Sequence, residues 1–232
     1  MGHTGHTGTE RTREVEIPSG EAVLTGELNV PVGAPGVVLF AHGSGSSRHS
    51  PRNQFVARTI REAGVGTLLF DLLTREEESV DIHTRHLRFD IGLLASRLTN
   101  ATDWVKREAD LWHLRIGYFG ASTGGGAALM AAAEIGEEIG AVVSRGGRPD
   151  LAGPGALQQV KSPTLLIVGG LDAPVIGMNK EAHTWLRCEK ELRIVPGASH
   201  LFEEPGTLEE VARLAAGWFQ KHLRARSNAA EV

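Results

Sequence analysis

The segment from Gly120 to Gly124, which reads Gly-Ala-Ser-Thr-Gly, has residue types and a spacing suited to nucleophilic chemistry. It lies between an apolar stretch typical of a buried strand and a small-residue run, Gly125 to Ala133, typical of a helix. A serine at a sharp strand-to-helix turn has a strained backbone, and glycine neighbours avoid a collision of β-carbons. The pattern therefore predicts that Ser122 is an exposed nucleophile, with a small-residue turn that has no chemistry as the alternative.

An acyl-transfer serine needs a base that takes its proton and an acid that orients the base. Asp172 follows the apolar run 165–168, and His200 follows the run 192–195, so both come after a predicted strand. Taken alone, Asp172 is also suited to forming a turn, and His200 to a surface loop. Taken together with Ser122, they predict that His200 is the general base and that Asp172 fixes its tautomer.

A Gly-rich loop offers donors for the negative charge that develops on a carbonyl oxygen during acyl transfer. His42-Gly43-Ser44-Gly45 follows the apolar run 37–40, which is typical of a strand buried on both faces. We expect the backbone N–H groups of Thr123 and Ser44 to form the oxyanion hole, with Gly45 as the alternative to Ser44. A tight strand-to-helix connection without chemistry is the other interpretation of this loop.

Basic residues near these segments are candidates for contact with a substrate. Arg48 and His49 follow the Gly-rich loop, and Arg145 follows a predicted strand that ends at the same edge of the sheet. Guanidinium groups bind carboxylates through paired hydrogen bonds, so the three residues form a candidate substrate-binding set. The alternative is a surface role, in which Arg145 pairs with Asp150 or Glu203.

The remaining elements predict an α/β fold with a mainly parallel sheet, helices on both faces and an N-terminal antiparallel pair. Residues 14–17 and 22–30 form the pair, and further strands are expected at 67–70 and 141–143. Apolar residues from 87 to 105 recur every three or four positions, which predicts one long helix. The polar stretch 73–86 is expected to be irregular and to contribute to a lid over the substrate site.

Two helix starts have recognisable caps. Ser50 and Pro51 are suited to the N-cap and the first helical position of a helix that ends before Gly64. Thr207 and Glu210 have capping-box spacing and predict the start of the last helix.

Length and composition predict one domain over residues 14–226, with tails at 1–13 and 227–232. The hydrophobic fraction of 41% and charged fraction of 22% are typical of a soluble globular protein. A net charge of −4 argues against a nucleic-acid partner. No apolar run is long enough to span a membrane. With one cysteine and no signal-peptide core in residues 1–13, a cytoplasmic location is expected by elimination. No metal is expected, because His83 and His86 have no third ligand nearby.

The chain resembles the α/β-hydrolase superfamily, and bacterial dienelactone-hydrolase-like proteins in particular, over residues 14–224. The resemblance is carried by the stretches 39–47, 117–124 and 200–206, which contain Ser122, His200 and the Gly-rich loop, together with Asp172. It implies an α/β-hydrolase fold and a cofactor-free serine hydrolase acting on a small-molecule ester. Dienelactone hydrolases proper have a cysteine at the position of Ser122, so a serine esterase for small or medium carboxylic esters is the preferred interpretation. A lactonase, a thioesterase, an acyltransferase and a ligand-binding sensor are the alternatives, and the oligomeric state stays open, with a homodimer among the alternatives.

Overall fold

The computed structural model of the protein describes residues 11–224. Its centre is an eight-stranded sheet in the order β1-β2-β4-β3-β5-β6-β7-β8, in which strands β3 to β8 are parallel and β1 and β2 are antiparallel. The strands are β1 (Arg11–Ser19), β2 (Ala22–Val30), β3 (Gly36–Ala41), β4 (Gly66–Phe70), β5 (Arg115–Ala121), β6 (Ile139–Arg145), β7 (Thr164–Gly169) and β8 (Lys190–Val195).

Seven α-helices connect and cover the strands within the described residues. They are α1 (Pro51–Glu62), α2 (Arg75–Thr84), α3 (Ile91–Arg107), α4 (Thr123–Ile135), α5 (Gly153–Gln159), α6 (Ala173–Trp185) and α7 (Thr207–His222). Short 3-10 turns lie at Leu87–Phe89, Gly136–Glu138 and Pro149–Leu151.

The sheet separates two apolar cores. Helices α1 and α7 pack on one face around Val56, Ile60 and Phe219, and helices α3 and α4 pack on the other around Leu98 and Leu129. Every residue of the central strands β3, β4 and β6 is buried, as expected for parallel strands covered on both faces. The two cores therefore fix the sheet, and the carboxyl ends of its central strands form one common edge.

The predicted fold class is confirmed, including the N-terminal antiparallel pair. Strand β1 begins at Arg11, three residues before the predicted domain start, because residues 11–13 extend the ladder to Val30. Residues 1–10 and 225–232, which contain most of the two predicted tails, lie outside the described residues. No helix within 11–224 is both long and apolar enough to cross a membrane.

The stretch 73–86 is not irregular, as the sequence predicted, but contains helix α2. Thr74 caps this helix: its hydroxyl accepts the N–H of Glu77, and the Glu77 carboxylate accepts the N–H of Thr74. This reciprocal cap starts a helix that has no clear apolar periodicity. Polar contacts of individual side chains, and not a continuous apolar face, therefore define α2.

Two other helix predictions were wrong in part. The predicted helix 87–105 is interrupted, because Asp90 accepts the N–H of Leu93 and starts α3 at Ile91. The capping box of the last helix does not form: the Thr207 hydroxyl donates to the Glu204 carbonyl instead, and Glu210 pairs with Arg213. By contrast, Ser50 caps α1 as predicted, and Pro51 is its first residue.

Candidate active site

Ser122 lies at the turn between β5 and α4, in a backbone conformation that non-glycine residues rarely adopt. Its φ of 51° and ψ of −121° belong to the strained region predicted for a nucleophile at such a turn. A β-carbon on Gly120 would lie 2.4 Å from the Gly124 carbonyl oxygen, and one on Gly124 would lie 2.1 Å from the Ala41 carbonyl oxygen. Glycine is therefore required on both sides of Ser122. We call residues 120–124 the elbow.

Backbone hydrogen bonds hold the strained residue in place. The Ser122 N–H donates to the Arg145 carbonyl at 3.1 Å. The Ser122 carbonyl accepts from the N–H groups of Gly125 at 2.9 Å and Arg148 at 3.0 Å. The neighbouring strand β6 and the loop after it thus fix the peptide groups on both sides of Ser122, which prevents the elbow from relaxing.

The structure brings the three predicted catalytic side chains into one hydrogen-bonded chain. His200 Nδ1 lies 2.6 Å from Asp172 Oδ2, and His200 Nε2 lies 3.3 Å from Ser122 Oγ. Because the Asp172 carboxylate accepts the proton on Nδ1, the lone pair of Nε2 faces the serine hydroxyl. The 3.3 Å separation is long for a hydrogen bond from a hydroxyl to an imidazole nitrogen, as is common for catalytic hydrogen bonds before substrate binds.

The His200 side chain is positioned by the turn that follows β8. The Ser199 N–H donates to the Glu204 carboxylate at 2.9 Å, and Phe202 has a φ of 56°. The imidazole packs against Gly146, where a β-carbon would lie 3.5 Å from Nδ1. The His200 side chain keeps 37% of its surface exposed and that of Asp172 13%, so solvent reaches His200 more than Asp172.

The loop after β3 contacts the elbow, but its Ser44 N–H is already engaged. It donates to the Thr123 hydroxyl at 2.9 Å, so it does not point freely into the space beside Ser122. Thr123 is the first residue of α4, and the first N–H groups of a helix have no partner within the helix. The N–H of Thr123 therefore has no acceptor within α4 and stays the predicted oxyanion donor, whereas the N–H of Ser44 is occupied by the Thr123 hydroxyl.

The buried side chain of His42 holds this loop in place through two hydrogen bonds. Its Nε2 accepts the Leu72 N–H at 3.0 Å, which leaves the ring proton on Nδ1 to donate to the Gly43 carbonyl at 3.0 Å. Burial lowers the pKa of His42 below its usual value of 6.5, although the Gly43 carbonyl and the charge of Asp71 act in the opposite direction. His42 is therefore a neutral side chain that connects the loop to the end of β4 through two hydrogen bonds. The sequence did not predict this role.

The three candidate substrate contacts differ in their surroundings. Arg48 is engaged by Asp71 through both its N–H and its guanidinium, and His49 is exposed. Asp71 was not predicted to have this role, although its place directly after β4 was the available signal. Arg48 is thus an internal ion pair at the site and has less freedom to bind an anion than expected.

Arg145 has no acidic partner among the described residues, contrary to the predicted alternative. Arg148 pairs with Asp150 instead, and Arg52 pairs with Glu203. The Arg145 guanidinium lies 5.8 Å from the Phe202 ring centre, and its Nε is buried without a hydrogen-bond partner. Burial, with a smaller contribution from the charge of Arg52, lowers the pKa of Arg145 to about 10.

A cavity of about 730 Å³ lies between the loop after β3 and helix α2. Its lining includes the polar residues Ser44, Arg48, Asp71, Thr74 and Glu78, but neither Ser122 nor His200. Ile82 and Leu73 contribute apolar surface. Within residues 11–224, no group of three His, Cys, Asp or Glu side chains is arranged to hold a metal ion.

Comparison with known proteins places these features in one family. The dienelactone hydrolase family matches residues 21–224 of the chain. The crystal structure of dienelactone hydrolase from Anabaena variabilis ATCC 29413 is 63% identical, with a TM-score of 0.91 over 93% of this chain and 99% of that one. Est1E from Butyrivibrio proteoclasticus is 15% identical, with a TM-score of 0.76 over 90% of this chain and 98% of that one, and it shares the fold.

A longer relative has a different name. In Mycobacterium tuberculosis strain H37Rv, a protein named "Putative phosphoribosyl transferase" is 55% identical over 213 residues, which are 92% of this chain and 47% of that protein. The chain therefore spans about half the length of the curated relatives that it matches. From the family match and the 63% identical structure, the chain belongs to the dienelactone hydrolase family, whose α/β-hydrolase fold it shares.

Proposed function

We propose that this protein is a serine hydrolase that cleaves small or medium carboxylic esters through an acyl-enzyme intermediate. The observation that carries the proposal is the position of His200, whose two ring nitrogens face Asp172 and Ser122 at 2.6 and 3.3 Å. Membership of a hydrolase family supports the same reaction class. The serine at the elbow, held in a strained conformation, supplies the nucleophile.

In the acylation step, Ser122 Oγ attacks the ester carbonyl carbon while its proton passes to His200 Nε2. The electron pair of the carbonyl double bond moves to oxygen, and the Thr123 N–H stabilises this oxyanion. The carbonyl then re-forms, the bond to the alcohol oxygen breaks, and His200 returns the proton to the departing alcohol. Asp172 stabilises the imidazolium during both proton transfers without taking the proton itself.

In the deacylation step, water takes the place of the alcohol. His200 Nε2 removes a proton from the water as its oxygen attacks the acyl carbon. As the second tetrahedral intermediate collapses, the bond from the acyl carbon to Ser122 Oγ breaks and His200 gives its proton to Oγ. The carboxylic acid then leaves, which restores the enzyme. The partial exposure of the His200 ring supports this step, since water has access to it.

The loop of Ser44, which contacts the elbow through Thr123, also lines the cavity of about 730 Å³, whose lining includes neither Ser122 nor His200. This cavity is therefore a candidate for a part of the substrate that lies away from the reacting bond.

Of the three candidate substrate contacts, Arg48 and His49 line this cavity, but Arg48 is engaged by Asp71. Arg145 does not line it, but its buried Nε has no hydrogen-bond partner within residues 11–224, so it is the candidate that a carboxylate would satisfy. Rates on 4-nitrophenyl esters with and without a terminal carboxylate in the acyl chain test this contact. Equal effects of Arg145→Met on both esters would argue against it.

A lactonase is the second candidate function, and the 63% identical dienelactone hydrolase is the observation that favours it. A lactone is an ester within a ring, so the same residues would open it by the same steps. A faster rate on an unsaturated lactone than on an open ester of equal size would select this alternative. We do not assign a phosphoribosyl transferase activity, because that name belongs to relatives of which this chain spans about half.

Replacing Ser122 with alanine tests the proposal directly. Turnover of 4-nitrophenyl acetate and butyrate should fall by about 10⁴- to 10⁶-fold, because the nucleophile is lost while the fold is retained. A serine-directed phosphonate should label the wild-type protein once, at Ser122, and mass spectrometry of the digested protein would locate the adduct.

Ser96→Ala is the matched control, since this exposed serine lies on α3 and, among the residues that the structure describes, its hydroxyl donates only to the Leu93 carbonyl. It should keep the wild-type rate. A Ser122→Ala variant with near-normal turnover, or an adduct on a different residue, would contradict the proposal. A wild-type protein that binds the esters but leaves them intact and unlabelled would instead indicate a ligand-binding sensor.

A further inference from the structure

The Thr123 side chain lies between the two backbone groups that the sequence predicts as oxyanion donors. Thr123 directly follows the nucleophile and is only 3% exposed. Its hydroxyl accepts the N–H of Ser44 at 2.9 Å. The Ser44 N–H, which was expected to donate to the substrate, therefore donates to the Thr123 hydroxyl instead.

The proton of this hydroxyl has a different status from those of other helical threonines. Thr59, Thr102 and Thr184 each donate to a backbone carbonyl three or four residues earlier, as threonines in helices commonly do. Thr123 is the first residue of its helix, and the residues before it belong to the elbow and β5. Among residues 11–224, its hydroxyl takes part in one hydrogen bond, in which it is the acceptor. Its own proton is thus available to a further acceptor.

The surroundings favour an anionic acceptor for that proton. The loop before Ser44 packs tightly on the nucleophile, since a β-carbon on Gly43 would lie 3.2 Å from Ser122 Cβ. A hydroxyl that accepts a hydrogen bond becomes a stronger donor through polarisation, and its burial strengthens the effect. The Ser44 N–H would therefore increase the donor strength of the Thr123 hydroxyl toward a negative charge formed beside Ser122.

We propose that the Thr123 hydroxyl is the second oxyanion donor, with the Ser44 N–H acting through it; this inference rests on the serine hydrolase function proposed above. When the bond from Ser122 Oγ to the acyl carbon forms, the carbonyl π electrons move to oxygen. The Thr123 N–H and O–H both donate hydrogen bonds to that oxygen, and neither loses its proton. When the tetrahedral intermediate collapses, the electron pair returns to the carbonyl and both hydrogen bonds weaken.

The isosteric variant Thr123→Val removes the hydroxyl and keeps the size of the side chain. We expect kcat on 4-nitrophenyl butyrate to fall by about 10²- to 10³-fold with KM little changed, as for the loss of one oxyanion donor. Thr123→Ser, which restores a hydroxyl, should keep most of the wild-type kcat.

A matched thionoester separates a direct contact from a displaced loop. Thiocarbonyl sulfur is a weak hydrogen-bond acceptor, so a lost donor slows the oxygen ester far more than the thionoester. Thr123→Val should therefore reduce the rate on the oxygen ester relative to the rate on the thionoester by at least about tenfold. A merely structural role would lower both rates together and leave their ratio unchanged.

The outcomes separate the two proposals. A wild-type protein that hydrolyses no ester would overturn the hydrolase function itself. An active wild-type protein with a Thr123→Val variant of equal or higher kcat, or with an unchanged rate ratio, would overturn only the role of the hydroxyl. Circular dichroism and phosphonate labelling check the fold of each variant, and Thr123→Ala repeats the measurement if the valine variant does not fold.

Discussion

The elbow and helix α2 lie on either side of the loop after β3, yet they are held by different forces. The elbow is fixed by backbone groups in contact: the β-carbon of any larger residue at Gly124 would overlap the Ala41 carbonyl. Helix α2 is fixed by polar side chains, through the Thr74–Glu77 cap and an ion pair of Glu77 with Arg97. Close packing permits one geometry, whereas polar ties can break and re-form individually.

The far end of α2 depends on one buried carboxylate. Asp81 has no exposed surface, and it accepts hydrogen bonds from the Arg88 side chain and from the Leu87 N–H. Arg88 in turn lies close to Gly45, since a β-carbon there would be 3.4 Å from its Nη1. The loop after β3 thus packs on the rigid backbone of the elbow on one side. On the other side it contacts Arg88, whose position depends on its ion pair with Asp81.

The largest effect is expected at the elbow. Gly124→Ala should lower the free energy of unfolding by at least about 3 kcal/mol, because the added methyl meets backbone that cannot move without the sheet. Urea unfolding followed by circular dichroism measures this change. Gly177→Ala in α6 is the control: open space surrounds its β-carbon position, and a gain of about 0.5–1 kcal/mol is expected there. Similar stability of the two variants would show that the elbow is more pliable than its packing indicates.

A smaller and local effect is expected in α2. Asp81→Asn removes the buried one of the two carboxylates that pair with Arg88 and leaves only Glu78. Amide hydrogens of α2 should therefore exchange about tenfold faster or more, while those of β5 stay protected. Hydrogen exchange read by mass spectrometry resolves the two regions. Asp103→Asn, at an exposed position of α3, should change neither. Equal acceleration in α2 and β5 would mean that the two regions open as one unit.

The smallest effect concerns pH and the loop that joins the two regions. Because burial lowers the pKa of His42 below 6.5, the unfolded chain binds its proton more readily than the folded one. The neutral state of His42 therefore contributes to the free energy of unfolding. This contribution is complete above pH 6.5 and decreases as the pH falls below 6.5, by at most about 1.4 kcal/mol per pH unit. His42→Gln, whose amide can donate and accept, should lose less stability between pH 7 and pH 5.5 than wild type. Urea unfolding at both pH values measures the stability that each protein loses. Equal losses in wild type and His42→Gln would exclude protonation of His42 as a cause.

The sequence predicted the elbow well because its signal is local. Gly120, Ser122 and Gly124 are the residues that the turn itself requires, and they are adjacent in the chain. Asp172 and His200 were predicted to lie near Ser122 because each follows a strand of the same parallel sheet, and the structure brings them together. Whether they act as acid and base stays a prediction until activity is measured.

The misses arise where a side chain selects its partner in three dimensions. Helix α2 has no apolar repeat, and its buried Asp81 contacts residues that follow the helix. The engagement of the Ser44 N–H depends on the side-chain orientation of Thr123, 79 residues away, which no sequence pattern records. Local patterns therefore predict the backbone of this site better than its hydrogen bonds.

The position of His200 has a consequence for how the proposed activity should respond to heating. His200, the proposed base, follows β8, the outermost strand on its side of the sheet, where most residues are partly or fully exposed. Ser122 follows β5, which has a hydrogen-bonded strand on each side. Because exposed edge strands open more easily than buried central ones, we expect the connection from β8 to α7 to unfold first and to move the imidazole away from Ser122. If the proposed activity is present, it should be lost below the temperature of global unfolding and should return on cooling as long as the central strands have remained paired.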